Sequence, residues 1–295
     1  KENLFKKNIN QYEHIIDKFS DIRRNKIMPN IDMKILLSWN CLYIKGLIKL
    51  YKITNESKVL NTIDKTLDFI SKKMIKDKII YSCFNDGACF PGYLDDYALL
   101  ASVLIDYLSI KWSSKYYKLC KRICDDIINK FEDTENGGYY FTSNDHEKLF
   151  YRPKSISDDS VPSGLVYATD ALLQMGYISG KKKFIESALR SISYINKSFG
   201  DNMTSNVSAI NLLHSDNLNR EIVIIRTNTD TWKTIIKEKM YYTKYIIFIN
   251  NDIEDLPDAF TAKLAKKDFA AYVCKGMMCL QPETSLPAFI ESLYD

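Results

Sequence analysis

Three stretches of this chain superpose on one another, and a chain that repeats a helix pair is confined to a layered helical array. They are SWNCLYIKGLIKLYKITNESKVLNTIDKTLDFI from Ser38, DDYALLASVLIDYLSIKWSSKYYKLCKRICDDII from Asp95 and SGLVYATDALLQMGYISGKKKFIESALRSISYI from Ser163. Each reads as an apolar first helix, a short polar turn (TNES, KWSS or SGKK) and a second helix. In the second helices Leu60, Ile63, Leu67 and Ile70 match Tyr117, Cys120, Cys124 and Ile127, then Ile185, Ala188, Ile192 and Ile195. Steps of three, four and three hold each set on one helical face. The first helices are apolar around more of their circumference (Leu42, Tyr43, Ile44, Leu47, Ile48, Leu50, Tyr51), as expected of helices buried on several sides.

An apolar helix paired with an amphipathic one, repeated, fits the inner and outer helices of an α/α toroid. Residues 3–24 are expected to form an outer helix, because Ile9, Tyr12, Ile16, Phe19 and Arg23 keep helical spacing. Residues 203–214 are expected to form a further inner helix. That makes about eight helices, so an (α/α)6-type toroid of about twelve would be incomplete, with about four pairs. Beyond residue 219, REIVIIRT and KYIIFIN read as buried strands around the helix DTWKTIIKEKMYY, with AAYVCKGMMCLQP as a third strand. The expected division is therefore a helical-hairpin domain over 1–219 and a small α/β unit over 220–295, whose parallel strands would cross over right-handedly.

The connections are unequal. Within a pair they are short; between pairs, at 75–93 and 131–162, they are long and carry strand-like runs: KIIYSCF, then GGYYFTS and KLFYRP, the last two predicted to pair as a hairpin. Long connections in a compact domain are usually functional. These enter the first helices at their N-termini, which would bring Ser38, Trp39 and Asn40, Asp95, Asp96 and Tyr97, and Ser163, Gly164 and Leu165 to one mouth.

Composition excludes several classes. The 41 basic and 37 acidic residues are dispersed and leave a net charge of only +4, against a nucleic-acid partner. The strongest apolar run, YIIFI at 245–249, is far too short for a membrane span. Seven cysteines without framework spacing read as reduced thiols in a cytoplasmic compartment. No Gly-rich phosphate motif occurs among ten glycines, and no cofactor is expected. Three isolated histidines (His14, His146, His214) and the unaccompanied pairs Cys120/Cys124 and Cys274/Cys279 give no metal set. The chain opens on KENLFKKN without an initiator Met or a signal-peptide core, and is expected to be a piece of a longer protein.

Four motifs occur in order: DMKILLSWN from Asp32, PGYLDDYALL from Pro91, RPKSISDDSVPSG from Arg152, and AYVCKGMMC from Ala271 followed by a Pro. Together, over about residues 25–295, they resemble the thioredoxin-domain-containing family of bacterial YyaL-like proteins and the spermatogenesis-associated homologue of animals. The resemblance implies an N-terminal thioredoxin-like domain, not visible here, followed by a six-hairpin glycosidase-like, or N-acylglucosamine 2-epimerase-like, domain. A redox or structural role for Cys274 and Cys279 is part of what it implies. The chain departs from the pattern at Cys41 after Asn40, at Asp159 and Ser160 after Asp158, and at Leu165 after Pro-Ser-Gly. Epimerase-type toroids use paired histidines, which this sequence does not place on equivalent inner helices.

The chemistry rests on carboxylates. Asp95 and Asp96 open a predicted helix, where an Asp caps backbone N–H groups and complements the helix dipole. The same position suits acid/base work, which in glycoside chemistry needs two carboxylates about 5–9 Å apart. Adjacent residues cannot supply that pair, but Asp96 with Asp158 or Asp159 can, and Asp96 and Asp159 are the expected catalytic residues. Trp39, Asn40, Asp95, Tyr97, Arg152, Lys154 and Asp158 are the expected substrate-binding residues, with a small carbohydrate as ligand and no metal. The competing reading is a non-catalytic helical module serving the thioredoxin-like domain, with both Asp residues spent as caps.

Overall fold

The computed structural model describes residues 2–148, 150–200, 203–217, 221–240, 245–266, 268–276 and 278–292. The chain divides into two units, Lys1–Lys34 and Ile35–Asp295. The first carries helix α1 (Glu2–Arg24), matching the helix expected over 3–24.

The second unit begins with a short strand, β1 (Ile35–Leu36), and three helical hairpins follow from the repeat. The first pairs α2 (Leu37–Thr54) with α3 (Ser57–Phe69), which runs on as a π-helical turn to Met74. Asn55 ends α2 in the left-handed conformation and returns its N–H to Tyr51 O, a common helix stop. Strands β2 (Ile75–Lys76), β3 (Ile79–Phe84) and β4 (Ala88–Pro91) fill the first long connection, and β3 pairs antiparallel with the other two and with β1. The second hairpin pairs α4 (Leu94–Leu108) with α5 (Ser114–Phe131), whose Ser113 hydroxyl accepts the Tyr116 N–H. The third pairs α6 (Gly164–Ser179), capped by Ser163 and stopped by Gly180, with α7 (Lys182–Ser198). Helix α8 (Val207–Asn217) takes the place of the next inner helix.

The inner helices α2, α4, α6 and α8 pack in sequence, and the apolar faces of α3, α5 and α7 close over them. Most of the spacing read from sequence is buried: Ile63, Leu67, Ile70, Tyr117, Cys120, Cys124, Ile127, Ala188, Ile192 and Ile195 belong to one core, while Leu60 and Ile185 at the starts of their rows are half-buried.

Two expectations are corrected. GGYYFTS and KLFYRP form no strand hairpin among the described residues; they share a backbone hydrogen bond, Phe141 N–H to Pro153 O at 2.8 Å, Tyr139 bridges to Glu132 instead, and Leu149 lies outside the description. Gly137 and Gly138, at φ 78° and 76°, turn the backbone so tightly against Arg190 O and the Tyr194 ring that a Cβ at either would overlap them. Nor are all seven cysteines thiols: Cys274 and Cys279 face each other across adjacent strands and form a disulfide, while Cys41, Cys83, Cys89, Cys120 and Cys124 are free.

Residues 218–220, which span the expected boundary at 219/220, lie outside the described set. Beyond them runs a sheet in the order β6-β5-β7-β8: β5 (Glu221–Arg226) parallel to β6 (Tyr245–Ile249), and antiparallel to β7 (Ala270–Lys275), which pairs with β8 (Met278–Cys279). Helix α9 (Asp230–Met240) connects β5 to β6, and α10 (Leu286–Glu291) packs its Phe289 onto Phe269. One side of the sheet, through Ile222, Ile224, Ile247 and Ile249, joins the core of the helical hairpins.

Candidate functional site

The two adjacent carboxylates at the start of α4 have opposite surroundings. Asp96 is 3% exposed and accepts the Tyr93 N–H at 3.0 Å. It also accepts the Ser82 hydroxyl and both the backbone N–H and the hydroxyl of Ser38. Burial pushes its carboxyl above the ordinary range, against the pull of those bonds. Asp96 thus stitches the starts of α4 and α2 to β3, and it lines neither of the cavities described below.

Asp95 takes no hydrogen bond or ion pair among the described residues. Burial, then the charge of Asp96, pushes its carboxyl up to about 6. It lines a cavity of about 240 Å³ together with Tyr139, Phe141, Ser155, Asp159 and Gly164. Gly164 makes the room: a Cβ there would overlap Asp95 Oδ1 and stand 2.9 Å from its Cγ.

The 158–162 segment closes the other side. Asp158 is a clamp: Oδ1 accepts the Ser163 N–H at 2.9 Å and the Ser208 hydroxyl at 2.5 Å, and Oδ2 accepts the Ser208 N–H at 2.8 Å. Next to it, the Asp159 side chain is exposed and carries no bond of its own among the described residues; its backbone N–H donates to Val161 O at 3.1 Å. Asp159, Val161 and Pro162 wall both the smaller cavity and a larger one of about 520 Å³ between α2, α6 and α8.

The larger cavity brings in residues the sequence reading did not single out: Lys45, Tyr167, Asp170, Ser208 and Asn211. Lys45 Nζ donates to Ser102 Oγ at 2.7 Å and to Asp106 Oδ2 at 2.5 Å, joining α2 to α4. Burial pulls its ammonium down, but the charge and hydrogen bond of Asp106 outweigh that and hold it above its ordinary value. Gln174 donates to Asp170 at 2.7 Å. The signal was a charged residue inside an otherwise apolar helix, as in LYIKGLIKL and YATDALL.

Other expected contacts are spent on structure. Lys154 makes a 2.6 Å ion pair with Asp133, donates to Gly137 O at 3.0 Å and sits over the Tyr194 ring. Within that pair burial pushes Asp133 up, but the Lys154 hydrogen bond and its neighbours hold it well below the usual carboxylate range. Arg152 donates to the Thr142 and Lys130 carbonyls and covers the Tyr140 ring, which shapes the second long connection from within. Tyr97 is core, packed on Phe131, and Asn40 Nδ2 donates to Leu36 O at 2.8 Å. Trp39 lines neither cavity and lies 61% exposed on the outer side of α2. Phe141, at the edge of the smaller cavity, is stacked on Tyr93, and Tyr93 in turn on His146. Among the described residues no three His, Cys, Asp or Glu side chains stand close enough to share a metal ion.

A toroid-like run of hairpins with two unequal carboxylates at the N-terminal ends of its inner helices invites comparison with carbohydrate-active folds. Residues 11–207, more than half of the chain, match Glycosyl Hydrolase Family 88. The chain belongs to that family. An uncharacterized protein of Caenorhabditis elegans is 28% identical over 196 residues, covering 62% of this chain and 26% of that protein. Human Spermatogenesis-associated protein 20 is 20% identical over 293 residues, covering 91% of this chain and 37% of that protein. The chain therefore spans between about a quarter and two fifths of the length of these curated relatives. Among solved structures, a GH76 alpha-mannanase of Bacteroides thetaiotaomicron superposes with a TM-score of 0.51 at 13% identity, covering 65% of this chain and 54% of that one. A family 76 glycoside hydrolase from a bovine strain of the same species gives 0.50 at 11% identity, covering 63% and 44%. These neighbours show the fold, the (α/α)6 toroid type of glycosidases and epimerases, of which this chain carries part. No helix among the described residues is long and apolar enough to cross a membrane.

Proposed function

We propose that the chain processes a carbohydrate by carboxylate acid/base chemistry at the cavity between the start of α4 and the 158–162 segment. Asp95 is the general acid and Asp159 the second carboxylate. The observation that carries this is Asp95 itself, a carboxyl on a cavity wall with no hydrogen bond among the described residues and a titration raised to about 6. A group poised there can hold a proton in mildly acidic solution and give it to a leaving oxygen. Exposed Asp159, across the same cavity, would act on the far side of the bond as base or nucleophile. Asp96, expected from sequence as one of the two catalytic residues, is engaged in capping and has no such part in this reading. Membership of a glycosyl hydrolase family supports the substrate class.

The test is release of reducing ends or aryl leaving groups from a panel of neutral and acidic glycosides, with Asp95→Asn and Asp159→Asn in parallel. The expected result is turnover that falls as pH rises above about 6, reduced roughly 10²–10⁴-fold in each variant. Thermal midpoints run beside it, since a sugar at a hundredfold excess over its Kd adds about 2.7 kcal/mol of stability. No turnover and no thermal shift with any sugar would leave the non-catalytic module as the better account.

A further inference from the structure

We propose that Cys83 and Cys89 form a second, reversible disulfide, a covalent site that exchanges electrons with small-molecule disulfides and dithiols. The two stand directly opposite each other on antiparallel β3 and β4. Residues so paired point to one face of the sheet with Cα atoms about 4.5–5.5 Å apart, inside the range a disulfide spans. Both are thiols here, and the Cys89 thiol donates to Cys83 O at 3.4 Å, so its sulfur already rests on the opposite residue.

The molecule contains its own precedent. Cys274 and Cys279 likewise face each other, on β7 and β8, and they are joined. The two pairs hold the same kind of position in their ladders. Leu280 N–H bonds Val273 O at 2.8 Å, one step outside Cys274 and Cys279, which marks that pair as one without mutual backbone hydrogen bonds. In the other sheet Gly92 N–H bonds Ile80 O at 2.8 Å, one step outside Tyr81 and Pro91, and Pro91 has no N–H to give. The two kinds of pair alternate along a ladder. Cys83 and Cys89, two steps on from Tyr81 and Pro91, are therefore again a pair without mutual backbone bonds, where opposing side chains come closest.

Access singles out the sulfur that reacts first. Cys41, Cys120 and Cys124 are fully buried and Cys83 is 4% exposed, whereas Cys89 is half-buried on β4, at the edge of its sheet. Cys89, as thiolate, attacks one sulfur of the small disulfide; that S–S bond breaks and one small thiol leaves. Cys83, as thiolate, then attacks the Cys89 sulfur, the mixed bond breaks and the second small thiol leaves. Two protein thiols are oxidised, one small disulfide is reduced, and the two protons lost by the cysteines end on the departing thiols. A dithiol reverses both steps. Closure fastens β4, and with it the Pro91–Tyr93 lead-in to α4, to the strand whose Ser82 hydroxyl holds Asp96.

The test treats the native chain with glutathione disulfide, quenches it with an alkylating reagent and maps the unreduced peptides by mass spectrometry. The expected product is a Cys83–Cys89 linked peptide in most chains, with Cys41, Cys120 and Cys124 still recovered as thiols, and its loss on adding dithiothreitol. Cys83→Ser should stop with one glutathione on Cys89, and Cys89→Ser should leave Cys83 a thiol. The parent chain alone decides whether the bond forms; the variants decide the order of attack. Recovery of both Cys83 and Cys89 as thiols in the parent would overturn the proposal. So would a parent that stops at glutathionylated Cys89, a bridge from Cys89 to another cysteine, or a bridge that forms only after denaturant has opened the fold. Glutathione found on Cys83 of Cys89→Ser would overturn the order of attack.

Discussion

Asp95 occupies the space that Gly164 leaves empty: a side chain at 164 would overlap Asp95 Oδ1 and crowd its Cα at 3.0 Å. Two inner helices, α4 and α6, thus meet through a carboxyl group and a missing methyl. Replacing Gly164 by Ala should drive the Asp95 carboxyl off the cavity wall or part the helices, at a cost of roughly 1–3 kcal/mol. Chemical denaturation of Gly164→Ala, read beside its turnover, should show both falling. Unchanged stability and unchanged turnover would mean that the carboxyl has another equally good place.

The raised titration of Asp95 predicts the pH dependence of folding. A carboxyl at about 6 in the folded chain against 3.8 for the free group binds its proton more tightly when folded. The stability it contributes is complete below 3.8 and is lost as pH rises through about 6, at most about 3 kcal/mol. Asp95→Asn should therefore flatten the stability profile between pH 4 and 6 and make the chain more stable at pH 7, while cutting turnover by roughly 10²–10⁴-fold. A variant less stable than the parent at pH 7 would show that the carboxylate is held by favourable contacts.

Asp158 and Asp159 are adjacent, and exchange of one or the other should give opposite phenotypes. Asp158→Ala removes three hydrogen bonds that tie the 158–162 segment to Ser163 and Ser208, and should cost about 2–4 kcal/mol. Asp159→Asn should leave the unfolding midpoint within about 0.5 kcal/mol of the parent, as exposed substitutions do, and still remove turnover. Denaturation and turnover measured on the same two preparations separate scaffold from chemistry.

The repeat was legible because burial imposes its period on the sequence: Leu60, Ile63, Leu67 and Ile70 are spaced by the helix they share, and the match to Tyr117 through Ile127 needs no tertiary information. The division of labour between Asp95 and Asp96 was not legible. Both stand in the first turn, and what separates them is Ser38 and Ser82, brought from two other elements. Arg152 and Lys154 read as a binding set because nothing local pairs them; their partners, Asp133, Lys130 O and Thr142 O, lie 10–22 residues away. The predicted pairing of GGYYFTS with KLFYRP failed for a related reason: Gly137 and Gly138 pack that segment against Arg190 and Tyr194 of α7, and the backbone hydrogen bond it keeps with the second run is Phe141 N–H to Pro153 O. Lys45 carried a signal in being a charge within an apolar helix, but only the position of Asp106 shows what it does.

The sheet of β5–β8 does not stand apart from the helices. Tyr245 of β6 donates its hydroxyl to Ile105 O of α4, and Ile222, Ile224, Ile247, Ile249 and Tyr272 sit in the same apolar interior as the three hairpins. The interior is therefore held in common, and neither half owns enough of it to be severed cleanly. A chain ended at residue 217 would bare the flank of α4 to water, and what was lost at the far end of the sequence would be felt at its middle.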